Sequence, residues 1–161
     1  MAEPNFSHLD GDGRIQMVDI SSKEMTRRVA QASCLVVTRI DGRSLEPRSD
    51  GFNVIQAARL TGIQTAKRTA ELIPLCHPLP LTSIRLDVAE HPRGFLVRSE
   101  VATDNRTGVE MEALTACSYA ALSLVNSLIA NEPEAHVEDV ILLRKSGGKS
   151  GDWGREVDGA G

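Results

Sequence analysis

Four groups of residues in this sequence have the types and spacing to do chemistry. Near the end of the chain, KSGGKSG (Lys145–Gly151) interleaves glycines with two lysines. Glycines let backbone N–H groups converge on an anion, and Lys145 and Lys149 add positive charge. The nucleotide-hydrolase loop needs a glycine five residues before its Gly-Lys-Ser, and Leu143 stands there, so that motif is absent. The plain alternative is a basic tail loop. In Leu75-Cys76-His77-Pro78, prolines on either side restrict His77, and Lys67 and Arg68 lie a few residues earlier. His77 is of the type that donates to phosphate or carries a proton; a structural histidine is the ordinary alternative. Cys76 beside it has no activating partner in the sequence, which argues against a nucleophile.

Glu110 and Glu112 form the third group, separated by one residue. In extended geometry they point to the same side, where two carboxylates can grip the edge of a guanine-like ring or exchange protons. Glutamates at a solvated helix start are the alternative. The fourth group is the cysteines Cys34, Cys76 and Cys117, an odd number at wide spacing with no C-x-x-C pair. They indicate neither a zinc knuckle nor a disulfide framework, and read as reduced, mostly buried thiols. No metal ligand set is predicted.

The elements that must position these groups fit one domain. The chain has 161 residues, 41% of them hydrophobic and 25% charged, an ordinary globular composition. A formal charge of -4 argues against an electrostatic nucleic-acid binder, and 3% aromatics argues against base-stacking platforms. The polar start MAEPNFSHLDGDGR does not resemble a signal peptide, and every apolar run is too short to span a membrane. A cytoplasmic protein without membrane contact is the expectation.

Residues 1–16 read as an N-terminal arm, mobile or docked on a partner, followed by a single domain over 17–152 and a flexible tail over 153–161. Helical periodicity predicts a helix through Lys23–Ala32, and CLVVTRI (Cys34–Ile40) predicts a strand. Asp41–Gly51 reads as a loop and Phe52–Ala70 as an amphipathic helix, stopped by Pro74, Pro78 and Pro80. Ser83–Glu90 and Phe95–Ala102 alternate in polarity around the turn His91–Gly94, a hairpin. A long helix follows over Met111–Ala130, then a strand over Val137–Arg144. This order predicts an α+β fold of ferredoxin-like type, an antiparallel sheet with helices on one face. The uncovered face of so small a sheet favours self-association.

Taken together, AKRTAELIPLCHPLPL (Ala66–Leu81), TGVEMEALTACS (Thr107–Ser118) and LLRKSGGKSGD (Leu142–Asp152) closely resemble the cyclic pyranopterin monophosphate synthases of molybdenum cofactor biosynthesis. MVDIS (Met17–Ser21) and AARLTGIQ (Ala57–Gln64) match in order and spacing, and the similarity runs from about Phe6 to Asp152. The resemblance implies a lyase that rearranges 3',8-cyclo-dihydro-GTP to cyclic pyranopterin monophosphate and releases pyrophosphate. It also implies a ferredoxin-like fold assembled as a hexamer of dimers, with each site at a dimer interface. It implies substrate binding by Arg28, Leu75, Cys76, His77, Glu110, Met111, Glu112, Lys145 and Lys149, and catalytic positions at Lys67, His77 and Asn126. No resident cofactor is implied; a divalent cation such as magnesium on the phosphates is left open.

Three positions depart from the family pattern. A Lys-Gly-Asp expected before the first long helix is Gly51-Phe52-Asn53 here, and Arg48 is the nearest cation. An Asp and, three residues later, a Lys expected on the second long helix are Asn126 and Ile129. An i, i+3 pair shares one helix face, so the two changes remove a whole charged patch. Three functions are compatible with this pattern. One is a synthase with rearranged catalytic groups; another is a homologue acting on a related cyclised nucleotide. The third is a non-catalytic nucleotide-binding paralogue that pairs with an active copy.

Overall fold

The computed structural model describes residues 7–45, 47, 49, 51–149 and 151–155. Its strands are β1 (Thr26–Val37), β2 (Ser83–His91), β3 (Gly94–Asn105), β4 (His136–Ser146) and β5 (Trp153–Gly154); its helices are α1 (Val54–Ala66), α2 (Thr69–Leu72) and α3 (Glu110–Leu128). The order β1-α1-β2-β3-α3-β4 folds into one sheet, β2-β3-β1-β4-β5, antiparallel at every pairing. That is the ferredoxin-like βαββαβ arrangement, with three helices packed on the sheet. The expected α+β class and the hairpin at His91–Gly94 are both present, with His91 opposite Gly94.

The largest correction concerns the first element. Residues 26–32, within the predicted helix Lys23–Ala32, belong to the central strand. Arginine, alanine and glutamine are good helix formers, but this segment pairs with β3 on one side and β4 on the other. Two ladders of long-range hydrogen bonds and burial under α3 override local preference. Ala30, Ala32, Cys34 and Val36 face the core at every second residue, together with Phe95, Val97 and Val101 of β3. The predicted strand through Ile40 stops at Val37. At the other end of the chain, β4 continues to Ser146, so Lys145 sits on the strand opposite Ala30 instead of in a loop. The tail also begins with structure: Trp153 and Gly154 pair with Lys145 and Arg144.

Small residues dominate where α3 is buried. Ala113, Ala116, Cys117, Ala120, Ala121 and Leu124 form the buried side of α3. Helix α1 crosses it at Gly62, where an added Cβ would lie 2.7 Å from the Ala116 carbonyl oxygen and 2.5 Å from a Leu86 methyl. Only glycine lets the two helices approach this closely.

The end of β1 is tied to the α3–β4 connection by one carboxylate. Glu132 accepts hydrogen bonds from the Thr38 hydroxyl at 2.5 Å, from the Arg39 backbone N–H and from Arg39 Nε at 3.0 Å. The Thr38 hydrogen bond is the main reason its carboxyl titrates below the usual range, with Arg39 adding to it. Arg39 also reaches Glu134 at 2.9 Å, but both of those side chains are exposed, and exposed pairs contribute little. Glu132→Ala is therefore expected to lower the melting temperature clearly and Glu134→Ala hardly at all, as measured by thermal denaturation at neutral pH.

Candidate functional site

At the end of the sheet where β1 and α3 begin and β3 and β4 finish, four stretches of sequence converge. Arg28 comes from β1, Leu75, Cys76 and His77 from the proline-rich loop after α2, Glu110, Met111 and Glu112 from the first turn of α3, and Lys145 from β4. All of them line one cavity of about 410 Å³. The loop reaches it through a strained residue: Leu75 has φ of 66°, a conformation that side chains rarely adopt.

The cavity opens on both sides. His77 and Glu112 also border a hollow of about 290 Å³ that holds Lys67, Arg68, Thr69 and Glu71. Arg28 and Lys23 also border a wider one of about 810 Å³ that holds Lys149, Gly148 and Thr26. The three form a row, with Lys67 at one end and Lys149 at the other. Of the residues expected in the site, Asn126 alone lies on none of these walls. It is exposed on the outer side of α3, fourteen positions beyond Glu112, or about 21 Å along the helix. Gly51 is exposed with open space around it, and Arg48 lies outside the described residues.

Lys23 and the Ser7–His8 segment line the cavity without having been expected there. For Lys23 the signal was its place two residues after the MVDIS match. For Ser7 and His8 the signal was only that the resemblance begins at about Phe6; they arrive because the arm turns back on itself, with Leu9 bridged to Ile15 and Gln16 N–H donating to the His8 carbonyl. Residues 1–6 of the arm and 156–161 of the tail lie outside the described residues.

The two glutamates do not share a side as extended geometry suggested, because they lie in a helix, where residues two apart diverge. Glu110 turns to Lys145, with Oε1 3.2 Å from Nζ. Glu112 turns inward and is buried. Burial is the main cause that pushes its carboxyl up to about 7, with Glu110 adding repulsion. Burial, and then Glu112, likewise raise the Cys76 thiol. A thiol held protonated is a poor nucleophile, so Cys76 serves as a wall.

Arg28 is held by backbone. Arg28 Nε donates to the Asn105 carbonyl at 2.9 Å, possible because β3 runs on to Asn105. Gly148, at φ of 77°, lies against the same guanidinium, and a Cβ there would be 2.0 Å from Nη1. Val109 precedes α3 with no side-chain cap. The 19-residue helix thus starts beside the cavity with no side-chain cap on its first N–H groups, a favourable position for an anion. Among the described residues, no cluster of three or more His, Cys, Asp or Glu is arranged to hold a metal, and no helix is long and apolar enough to cross a membrane.

Comparison with known proteins points the same way as this geometry. The sequence model of the MoaC family matches residues 17–148. A cyclic pyranopterin monophosphate synthase of Nostoc sp. is 46% identical over 155 residues, 92% of this chain and 91% of the relative. Enzymes of the same name from Thermomicrobium roseum and Cereibacter sphaeroides are each 46% identical, over 99% and 91% of this chain and 98% and 94% of theirs.

The buried carboxyl makes a pH-dependent prediction. A raised folded-state pKa contributes stability that is present below the unfolded value and lost as pH rises through about 7. Glu112→Gln removes that loss. The variant is expected to match the parent near pH 4.5 and to exceed it by about 1–3 kcal/mol at pH 8, as read from urea unfolding at the two pH values.

Proposed function

Because the chain belongs to the MoaC family, we propose that it is a lyase that converts 3',8-cyclo-dihydro-GTP to cyclic pyranopterin monophosphate, releasing pyrophosphate. One observation carries this reading: Arg28, His77, Glu112 and Lys145, from four separate stretches of sequence, line a single cavity at the uncapped start of α3. Such a cavity suits a ligand with a polyanionic end and a ring rich in exchangeable protons.

The phosphates fit the side bordered by Lys23, Arg28, Lys145 and Lys149. Closing the cyclic phosphate puts negative charge on the departing pyrophosphate, and fixed cations with helix N–H donors stabilise it as it forms. The ring system fits between Leu75, Cys76 and Met111, with the Glu110 and Glu112 carboxylates as partners for its N–H groups. His77 and Glu112 are the groups placed to move protons during ring rearrangement, with Lys67 beyond them. A carboxyl near half-protonation at neutral pH both gives and takes a proton readily. The reaction in this reading needs no resident cofactor; a divalent cation such as magnesium would arrive on the phosphates as part of the substrate. The setting is the cytoplasm.

The working unit is a homo-oligomer, a hexamer built from dimers. Met111, Tyr119, Leu122 and Ile129 are exposed, and with Asn126 they fall at helical spacing on the outer side of α3. Covering them with an antiparallel α3 from a second copy buries apolar surface, and a two-fold axis suits such self-contact. Tyr119 lies midway between Glu112 and Asn126. A two-fold axis beside it sets Asn126 of the partner subunit against Glu112, so each cavity would be completed across the interface.

In that position Asn126 can orient a substrate by hydrogen bonding but cannot exchange a proton, and Ile129 offers no charge. Slow turnover follows. Purified protein incubated with 3',8-cyclo-dihydro-GTP is expected to release pyrophosphate and the cyclic pterin together. The combined variant Gly51→Lys, Asn126→Asp, Ile129→Lys is expected to raise kcat by about 10²-fold or more. Binding without turnover, in the parent and the variant alike, would overturn the lyase reading in favour of a non-catalytic nucleotide binder. Absence of binding would overturn both.

A further inference from the structure

Outside the cavity, one pair of reactive side chains has no part in the reading above. Cys34 on β1 and Cys117 on α3 are 83 positions apart, yet their sulfurs lie 2.9 Å from each other. Both are buried, at 1% and 0% exposure. Each also faces a carbonyl: Cys34 Sγ donates to that of Cys117 at 3.5 Å, and Cys117 Sγ lies 3.4 Å from that of Val97. The sulfur–sulfur distance is shorter than the about 3.5–4.0 Å of carbon contacts, although sulfur is the larger atom. A disulfide bond is about 2.05 Å long, so less than ~1 Å of approach separates the two thiols from a bond.

We propose that Cys34 and Cys117 are a reversible dithiol–disulfide pair which, when oxidised, links the central strand to α3. The co-reactant is a low-molecular-weight disulfide. One cysteine, as thiolate, attacks it and expels a small thiol, leaving a mixed disulfide. The second cysteine, also as thiolate, attacks the protein sulfur of that mixed disulfide and expels the other small thiol. The protein gives up two protons and two electrons, and the reagent's S–S bond takes them. In the packed state the contact with Cys34, and then burial, hold the Cys117 thiol protonated. Exchange therefore takes place during folding or when α3 lifts from β1.

The bond would fix two elements that carry site residues, since Arg28 lies six positions before Cys34 and Glu112 five before Cys117. Cys76, partly exposed in the cavity wall, serves as an internal control.

The full chain is unfolded in urea and refolded in glutathione buffers of increasing oxidised fraction. It is then alkylated in denaturant and mapped by mass spectrometry. The native chain is treated in parallel with the same buffers, with and without sub-denaturing urea. The expected result is a Cys34–Cys117 peptide lighter by two hydrogens, reversed by a reducing agent, with Cys76 still alkylated. Its formation in the native chain is expected to be faster in sub-denaturing urea, and its urea midpoint is expected to rise. Cys117→Ala should abolish the protection, a readout by mass that does not depend on the stability of the variant. Three alkylated cysteines at every buffer ratio in both arms, or a linkage that includes Cys76, would overturn the proposal.

Discussion

The close seating of α3 on β1 is the constraint on which the rest depends. Ala113, Cys117 and Ala120 on the helix share one buried cluster with Ala30, Ala32 and Cys34 on the strand. Small side chains at these positions let helix and strand pack closely. The depth of the helix sets where its first turn ends up. Glu110, Met111 and Glu112 then come level with Arg28 at one edge and Lys145 at the other. A core of leucines would lift α3 away and open the cavity that Glu112 now closes.

That seating also explains why a carboxylate can be buried beside His77. Burying a charge costs several kcal/mol unless it is paired, and among the described residues Glu112 makes no ion pair, while Lys145 is engaged by Glu110. The carboxyl responds by holding its proton to about neutral pH. Two glutamates two residues apart thus divide into different roles. Glu110 is paired with Lys145, and Glu112 is a buried carboxyl that titrates near neutral pH. A single helical step between two surroundings produces the difference.

Much of this was legible in the sequence, for reasons that can be stated residue by residue. The hairpin Ser83–Asn105 and the helix starting at Glu110 show strong periods and local turn signals, and local signals are what a sequence displays. The central strand was not legible. Arg27, Arg28, Ala30 and Gln31 are good helix formers, and the two ladders that make them a strand join residues about 70 and 115 positions away. The convergence of Arg28, His77, Glu112 and Lys145 was suggested by motif order, and its geometry came from topology alone. The Cys34–Cys117 contact had no sequence signal at all, since two cysteines 83 positions apart meet only once β1 and α3 are packed.

The remaining question is why the polar shell of the cavity is so complete while Asn126 and Ile129 stand where an acid and a cation would be expected. Groups on the cavity wall are tied into the fold: Arg28 to the Asn105 carbonyl, Lys145 to Glu110, the Leu75–His77 loop to a strained turn. Changing any of them disturbs packing or leaves a polar group unpaired, which costs stability as well as function. Asn126 and Ile129 are exposed on an outer helix face, where substitution costs the fold almost nothing. Packing therefore does not constrain these two positions as it constrains the cavity wall. An isoleucine there also adds apolar surface to the face that Met111, Tyr119 and Leu122 present.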